Sequence, residues 1–461
     1  MFKQYIGDRR FYRQVLTVAL PIIVQNGISN FISMLDNIMV GQVGTIPMSG
    51  VAIVNQLLFV FNLCIFGAVS GAGIFTAQYF GSGNNDGVCH TFRFKFLISI
   101  LLTTASIGLF LVAGKSLISL YLQGDGTPED ALRTLEYGWK YLLVMLWGLP
   151  AFAISTSYSS TLRETGQTMV PMVAGISGVI INLILNYLLI FGHFGFPEMG
   201  IQGAALATVI SRYVELAVVA CWTHKNKIKN TFIQGAYHSL HIPKQLLSQI
   251  TVKGLPLLIN EALWASGMAI MNQCYSTRGL DVVAAQNISS TVYNLASVVF
   301  LSMGNAVGII IGQMLGSGKN KEEVRDADRK LIFTSVVSCL LFGGLMAGVS
   351  GIFPAIYNTT DSVRWLAAQF ICICAIMMPF NAYTNAAYFT LRSGGQTMVT
   401  FLFDSCFVWV VCVPLAYCLS RFTGIPILPL YAICQGLDLI KCIIGGMMIR
   451  HGSWIQNLAL K

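Results

Sequence analysis

Twelve apolar runs partition this chain, at about 15–41, 48–80, 93–122, 137–161, 169–192, 201–222, 251–277, 283–315, 331–357, 363–391, 397–419 and 428–449. A helix needs ~20 apolar residues to cross a hydrocarbon layer, and backbone in lipid must satisfy its own hydrogen bonds. Runs of this length point to one fold class, an all-α integral membrane protein with twelve transmembrane helices. Composition agrees: 10% of the 461 residues are charged, 55% are apolar, and mean hydropathy is +0.68. No soluble domain of this size has that balance.

The net charge of +9 invites a nucleic-acid reading, which the placement of the basic residues rejects. Twenty Lys and Arg fall at the two termini and in the even-to-odd loops with their helix ends. Six lie on the opposite side: Lys115, Arg133, Lys140, Arg278, Arg364 and Arg421. This bias sets both termini in the cytoplasm of a multi-pass protein of the cell membrane, inner or plasma. Between Glu215 and Glu261 there is no acid but five lysines, Lys225, Lys227, Lys229, Lys244 and Lys253. That stretch reads as a central cytoplasmic linker beside anionic lipid. Residues 125–136, with Asp125, Glu129, Asp130 and Glu136, read as an external loop.

The twelve cysteines mostly sit in apolar runs without a CxxC, so they read as small buried hydrophobes. Cys89–His90 and Cys221–His224 each lack a second pair to complete a zinc site. No convergent Ser/His, His/Asp or metal cluster argues for an enzyme, and no cofactor is expected. A signal peptide is not expected either, because MFKQYIGDRRFYRQ leads into a full-length span without a small-residue cleavage site.

The chain repeats itself. An offset of 235 sets Pro21 on Pro256, Asn37 on Asn272, Gly44 on Gly279, and QYFGSGNN (78–85) on QMLGSGKN (313–320). An offset of 229 sets Pro150 on Pro379 and LRETGQTMV (162–170) on LRSGGQTMV (391–399). Shared apolarity does not reproduce loop sequences, so the chain is read as two six-helix lobes, 1–222 and 251–461, joined by a basic linker at 223–250. Parallel repeats of even helix number are related by an axis along the membrane normal, with the binding site between them. The Gly-rich GSGKN (316–320) fails the P-loop spacing, since position 313 is Gln and Asn320 replaces Ser/Thr; both GSG segments are turns.

Within the first run, Asn26, Ser29, Asn30, Ser33, Asp36 and Asn37 form one helical stripe. A carboxylate at bilayer depth costs several kcal/mol by most estimates, so Asp36 is expected to face protein or a wet cleft. Two readings remain: a packing face with a structural acid, and the wall of an ion or solute pathway, which is preferred.

Several features resemble the multidrug and toxic compound extrusion (MATE) family, bacterial type: Pro21 to Asp36 followed by VGQVG (40–44), the paired GSG and LR-x-x-GQTMV motifs, and NEALWASG (260–267). The resemblance covers nearly the whole chain. It implies a V-shaped, two-lobed secondary transporter that exports bulky organic cations by alternating access, in exchange for inward-moving Na+ or H+. It further implies that Asp36 is the family's first-helix acid and that Asn182 and Asn186 complete an ion site. Glu261 then matches a helix-7 acid of one branch. Asn186 departs from a branch with an acid there, and Asn381 and Asn385 stand near a helix-10 acid that is missing here.

Under the repeat, Asp36 meets Met271 and Glu261 meets Asn26, so the two acids differ by ten positions, about 15 Å of helix rise. The expected coupling residues are Asp36, Asn182, Asn186 and Glu261, with transient Na+ at the first three, and Glu261 attracting substrate cation or ion. Asn26, Asn30, Asn260, Asn381, Asn385 and Asp404 are expected to line the cavity. Arg212 with Glu215, and Asp438 with Lys441, share an i, i+3 spacing with signs reversed at an offset of 226, and pairing across or within the helices is preferred over substrate contact. Asp404 has no charged neighbour within a turn, which leaves a third functional acid and a backbone- or hydroxyl-bonded acid open. No single aromatic is assigned. The expected partners are small organic cations and membrane lipid, with no nucleic acid and a monomeric state. The competing readings are an exporter of one metabolite and a lipid-linked sugar flippase of the related superfamily.

Overall fold

The computed structural model describes residues 5–122 and 128–459. Among them all regular structure is helical, and twelve helices are long and apolar enough to cross a membrane. They are α1 (Arg9–Gly41), α2 (Thr45–Gly81), α3 (Asn85–Leu120), α4 (Pro128–Glu164), α5 (Met169–Phe191) and α6 (Ile201–Lys225) in the first half. The second half has α7 (Lys244–Ser276), α8 (Leu280–Gly316), α9 (Lys321–Val349), α10 (Asp361–Ser393), α11 (Thr397–Phe422) and α12 (Ile427–His451). Residues 128–136, expected in a loop, are the first turns of α4; Asp125 lies outside the described residues.

Helix breaks follow the local chemistry. α4 tightens to a 3-10 turn at Leu146–Gly148, immediately before Pro150, whose ring collides with the carbonyl four residues back. Asn84 caps α3, accepting from Gly87 N at 2.9 Å, and the Thr360 hydroxyl accepts from Val363 N at the start of α10. The duplicated loop motifs are duplicated turns. Gly83 and Gly318 have φ of +75° and +69°, and Gly166 and Gly395 have +82° and +75°, a left-handed conformation that glycine adopts without Cβ strain.

The chain forms two compact units. One comprises 24–76 and 84–254, and is called here the Asp36 unit; the other comprises 1–23, 77–83 and 255–461, the Glu261 unit. The Asp36 unit packs Val54, Phe61, Ile65, Leu142 and Leu146 from α2 and α4 into one core. In the Glu261 unit the core gathers Phe370, Met378 and Tyr431, with the Phe370 and Tyr431 rings 4.5 Å apart.

Inside the Glu261 unit the last turns of α2 and α8 cross at closest approach. Gly81 lies against the Gln313 backbone and Gly316 against the Gln78 backbone, with no room for a side chain at either. These are repeat mates, so the same contact is made twice in opposite directions. The C-terminal segment closes over it: Gln78 Nε2 donates to Ser393 O (2.8 Å) and Gln456 O (3.2 Å), and Gln78 Oε1 accepts from Leu458 N (2.6 Å).

Candidate functional site

In the Asp36 unit, α1, α5 and α6 bring their polar side chains together. Asn182 and Asn186 are one turn apart on α5 and therefore share a face; both are buried, at 6% and 1% exposure. Asn186 Nδ2 donates to Asp36 Oδ1 at 2.7 Å. Asn182, with its amide turned nitrogen-first, donates to both Asp36 oxygens at 2.9 Å and faces Thr208 Oγ1 on α6 with its oxygen at 3.2 Å. In the opposite turn Asn182 Oδ1 accepts from Asn186 Nδ2 at 3.1 Å and Nδ2 donates to Thr208 Oγ1 at 3.2 Å; Oδ1 then faces the Asp36 oxygens, an approach that a proton or a cation on Asp36 relieves. Asn186 Oδ1 is buried without a hydrogen-bond partner.

The other deep charges of this unit all have polar partners. Lys95, fully buried, pairs with Glu164 and donates to Ser160 Oγ and Thr161 Oγ1 at 3.1 and 3.3 Å. Arg163 Nη2 donates to Gln25 Oε1 at 2.7 Å. Arg212 pairs with Glu215 at 3.7 Å, as its spacing foretold, and lies 4.7 Å from the centre of the Phe152 ring. Asp36 makes no ion pair among the described residues and is held by amides. Asn26 and Asn30 continue its stripe, half-buried and exposed.

The Glu261 unit is arranged differently. Asp404 accepts from Lys441 Nζ at 3.0 Å and from Asn260 Nδ2 at 3.1 Å. Asn260 in turn accepts from Ser405 Oγ at 2.7 Å, so α7, α11 and α12 are tied at one point. Lys441 makes its direct contact across helices, with Asp404 rather than with Asp438 one turn before it on α12, and Asp404 gains a charged partner that its own helix does not supply. Here α11 carries two π turns, Leu402–Cys406 and Val408–Cys412, and α12 is interrupted at Leu437, between Ile427–Gly436 and Asp438–His451. Such turns re-aim side chains relative to a regular helix.

Glu261, half-exposed on α7, makes no hydrogen bond or ion pair among the described residues. Asn381 donates to Tyr293 OH at 3.2 Å, and the amide oxygens of Asn381 and Asn385 are buried without partners. No hydrogen bond joins Glu261 to either. No cluster of three or more His, Cys, Asp or Glu among the described residues is placed to hold a metal. Sequence reasoning missed the Asp404–Lys441 pair, which joins α11 to α12 and leaves no mark in the spacing of either helix.

Known proteins resemble the chain along its whole length. The MatE family profile matches residues 21–188 and 256–418. The protein described as probable multidrug resistance protein NorM of Thermotoga maritima is 24% identical over 436 residues, 92% of this chain and 89% of that relative. The one described as probable multidrug resistance protein YoeA of Bacillus subtilis is 25% identical over 426 residues, 90% and 89% of the two chains. An outward-facing multidrug resistance MATE family transporter of the MOP superfamily superposes with TM-score 0.86 at 17% identity, covering 98% of both chains. A MOP superfamily transporter from Pyrococcus furiosus does so with TM-score 0.84 at 18% identity, again covering 98% of both. At these identities the solved structures speak to the fold, while the profile spans most of both halves; the chain belongs to the MatE family, and is a multi-pass membrane transporter rather than an enzyme.

Proposed function

We propose that this protein is a secondary active exporter that exchanges bulky organic cations for inward-moving Na+ or H+, with Asp36, Asn182 and Asn186 carrying the coupling ion. One observation carries the reading: an intramembrane carboxylate held by two asparagine amides and by no basic residue. An ionised Asp36 takes donors from both amides. A proton or a Na+ on it favours amide oxygens instead, and the unpartnered Asn186 Oδ1 is one such oxygen. Hard cations prefer oxygen donors of this kind. The amides thus convert ion occupancy into a change of hydrogen bonding that joins α1 to α5. A difference of a few kcal/mol between two conformations suffices to turn that change into alternating access. The relatives described as multidrug resistance proteins support drug-like organic molecules as the substrate class.

Glu261, in no direct ion pair but within electrostatic reach of Arg392, attracts substrate cation or ion in the second half. The bodies that rock are the two lobes of the repeat, 1–222 and 251–461 joined by 223–250, with 1–23 and 77–83 grouped with the second. The transporter works as a monomer in the cell membrane among its lipids, with both termini cytoplasmic.

The test is efflux of a fluorescent organic cation from proteoliposomes, with a sodium gradient and a proton gradient imposed separately. One of them is expected to drive export in the wild type and to drive it far more slowly in Asp36→Asn. Undiminished pumping by that variant would remove Asp36 from coupling. Failure of both gradients in the wild type would favour the metabolite exporter or the flippase.

A further inference from the structure

The polar cluster of α7, α11 and α12 lies where the first half has something chemically opposite. Offsets of 229 and 235 set Asp404 on Gly175 and Asn260 on Gln25, and an offset of 226, which brings the two i, i+3 charge pairs of α6 and α12 into register with signs reversed, sets Lys441 on Glu215 and Asp438 on Arg212. In the first half Gly175 packs directly on Gln25, and a Cβ there would come 2.6 Å from Nε2, so a larger residue would require the Gln25 side chain to move. The second half has exchanged a glycine for an acid and an acid for a lysine. It has also given up regular helix to do so. α5 and α6 run unbroken, whereas α11 carries two π turns and α12 a break at the residue before Asp438.

The result is a nearly closed ion pair, with Lys441 and Asp404 side chains 9% and 23% exposed. The ammonium sits 3.0 Å from Asp404 Oδ1, 5.6 Å from the centre of the Phe407 ring, and within electrostatic reach of Asp438. Chemically, a lysine ammonium is a monovalent cation that cannot leave. We infer that Lys441 is a resident cation of the second half. Its ammonium fills the place that a mobile alkali ion would take beside Asp404, so this carboxylate is withheld from ion exchange and the number of ions moved is set elsewhere. Lys441 is thereby a specificity-determining residue: it decides that Asp404 is not a sodium site. The inference stands apart from the reading of Asp36, and its test is made without that acid.

Purified protein is equilibrated with radiolabelled sodium in choline-balanced buffer, and bound sodium per chain is counted at saturation. On an Asp36→Asn background, Lys441→Met is expected to gain one saturable sodium site per chain. The further change Asp404→Asn is expected to remove it again. An unchanged count on Lys441→Met overturns the inference, as does a gain that survives Asp404→Asn. Should Lys441→Met be too unstable to purify in choline, recovery in sodium supports the same site, while equal loss in both salts shows the pair to be structural only. An error in the Asp36 reading shows up elsewhere, as unchanged gradient dependence between the wild type and Asp36→Asn.

Discussion

Asn186 is the side chain through which the state of Asp36 is felt most directly: one nitrogen at 2.7 Å from the carboxylate, one buried oxygen with no partner. A hydrogen bond to a charged group is worth ~1.5–3 kcal/mol net. That bond steadies the ion-free carboxylate, so if the coupling ion is a proton Asn186→Leu should strengthen its apparent affinity by about 10- to 100-fold; if it is Na+, the lost Oδ1 ligand should weaken binding instead. The half-saturating sodium or proton concentration for export is the measurement. Asn186→Asp should behave differently, since a second carboxylate beside Asp36 attracts a cation while raising the cost of having both charged; its pH dependence should move. At this scale the sequence was readable where chemistry repeats along one helix. The i, i+4 asparagines on α5 and the stripe ending at Asp36 required no knowledge of the neighbours. It was unreadable where a partner arrives from another helix. Asp328 is buried and accepts from Thr390 Oγ1 at 2.5 Å, yet in sequence it sits inside KEEVRDADRK and looks solvated. Lys95, fully buried against Glu164, hides in the same way.

Elements carry the repeat more faithfully than single residues do. The GSG and GQT turns were legible because the same glycines are needed twice for the same backbone. What those turns hold was not legible: Gln78 spends its whole side chain on the C-terminal segment, and Asn457 Nδ2 also reaches Gly316 O at 3.2 Å. Gln78→Ala removes three hydrogen bonds and leaves Leu458 N without its side-chain acceptor. At ~0.5–1.5 kcal/mol each, a loss of about 2–4 kcal/mol is expected, read as a lowered unfolding temperature in detergent. Gly316→Leu, which drives a side chain into the Gln78 backbone, should be worse and prevent folding, because neither helix can retreat without losing the reciprocal contact at Gly81. The π turns of α11 are the opposite lesson. Nothing in TFLFDSCFVWVVC marks them, and the first of them holds Asp404 and Ser405, whose partners arrive from α7 and α12.

At the scale of the whole molecule, duplication has produced two halves with the same helices and unequal chemistry. One holds a carboxylate dressed in amides; the other holds Glu261 without a partner and Asp404 with a captive ammonium. Two acids serving a single protonation or sodium event would give non-additive losses, the double variant doing no worse than the poorer single one. Asp36 and Glu261 belong to different repeats, are not repeat mates, and share no hydrogen-bond partner among the described residues. Separate duties should therefore separate in the kinetics. Glu261→Gln is expected to raise the substrate concentration for half-maximal efflux with the maximal gradient-driven rate largely kept. Asp36→Asn is expected to lower that rate with little change in half-saturation. In the double variant the two losses should multiply. An effect no larger than that of Asp36→Asn alone would place both carboxylates in one coupled step and make the asymmetry of the halves incidental to transport.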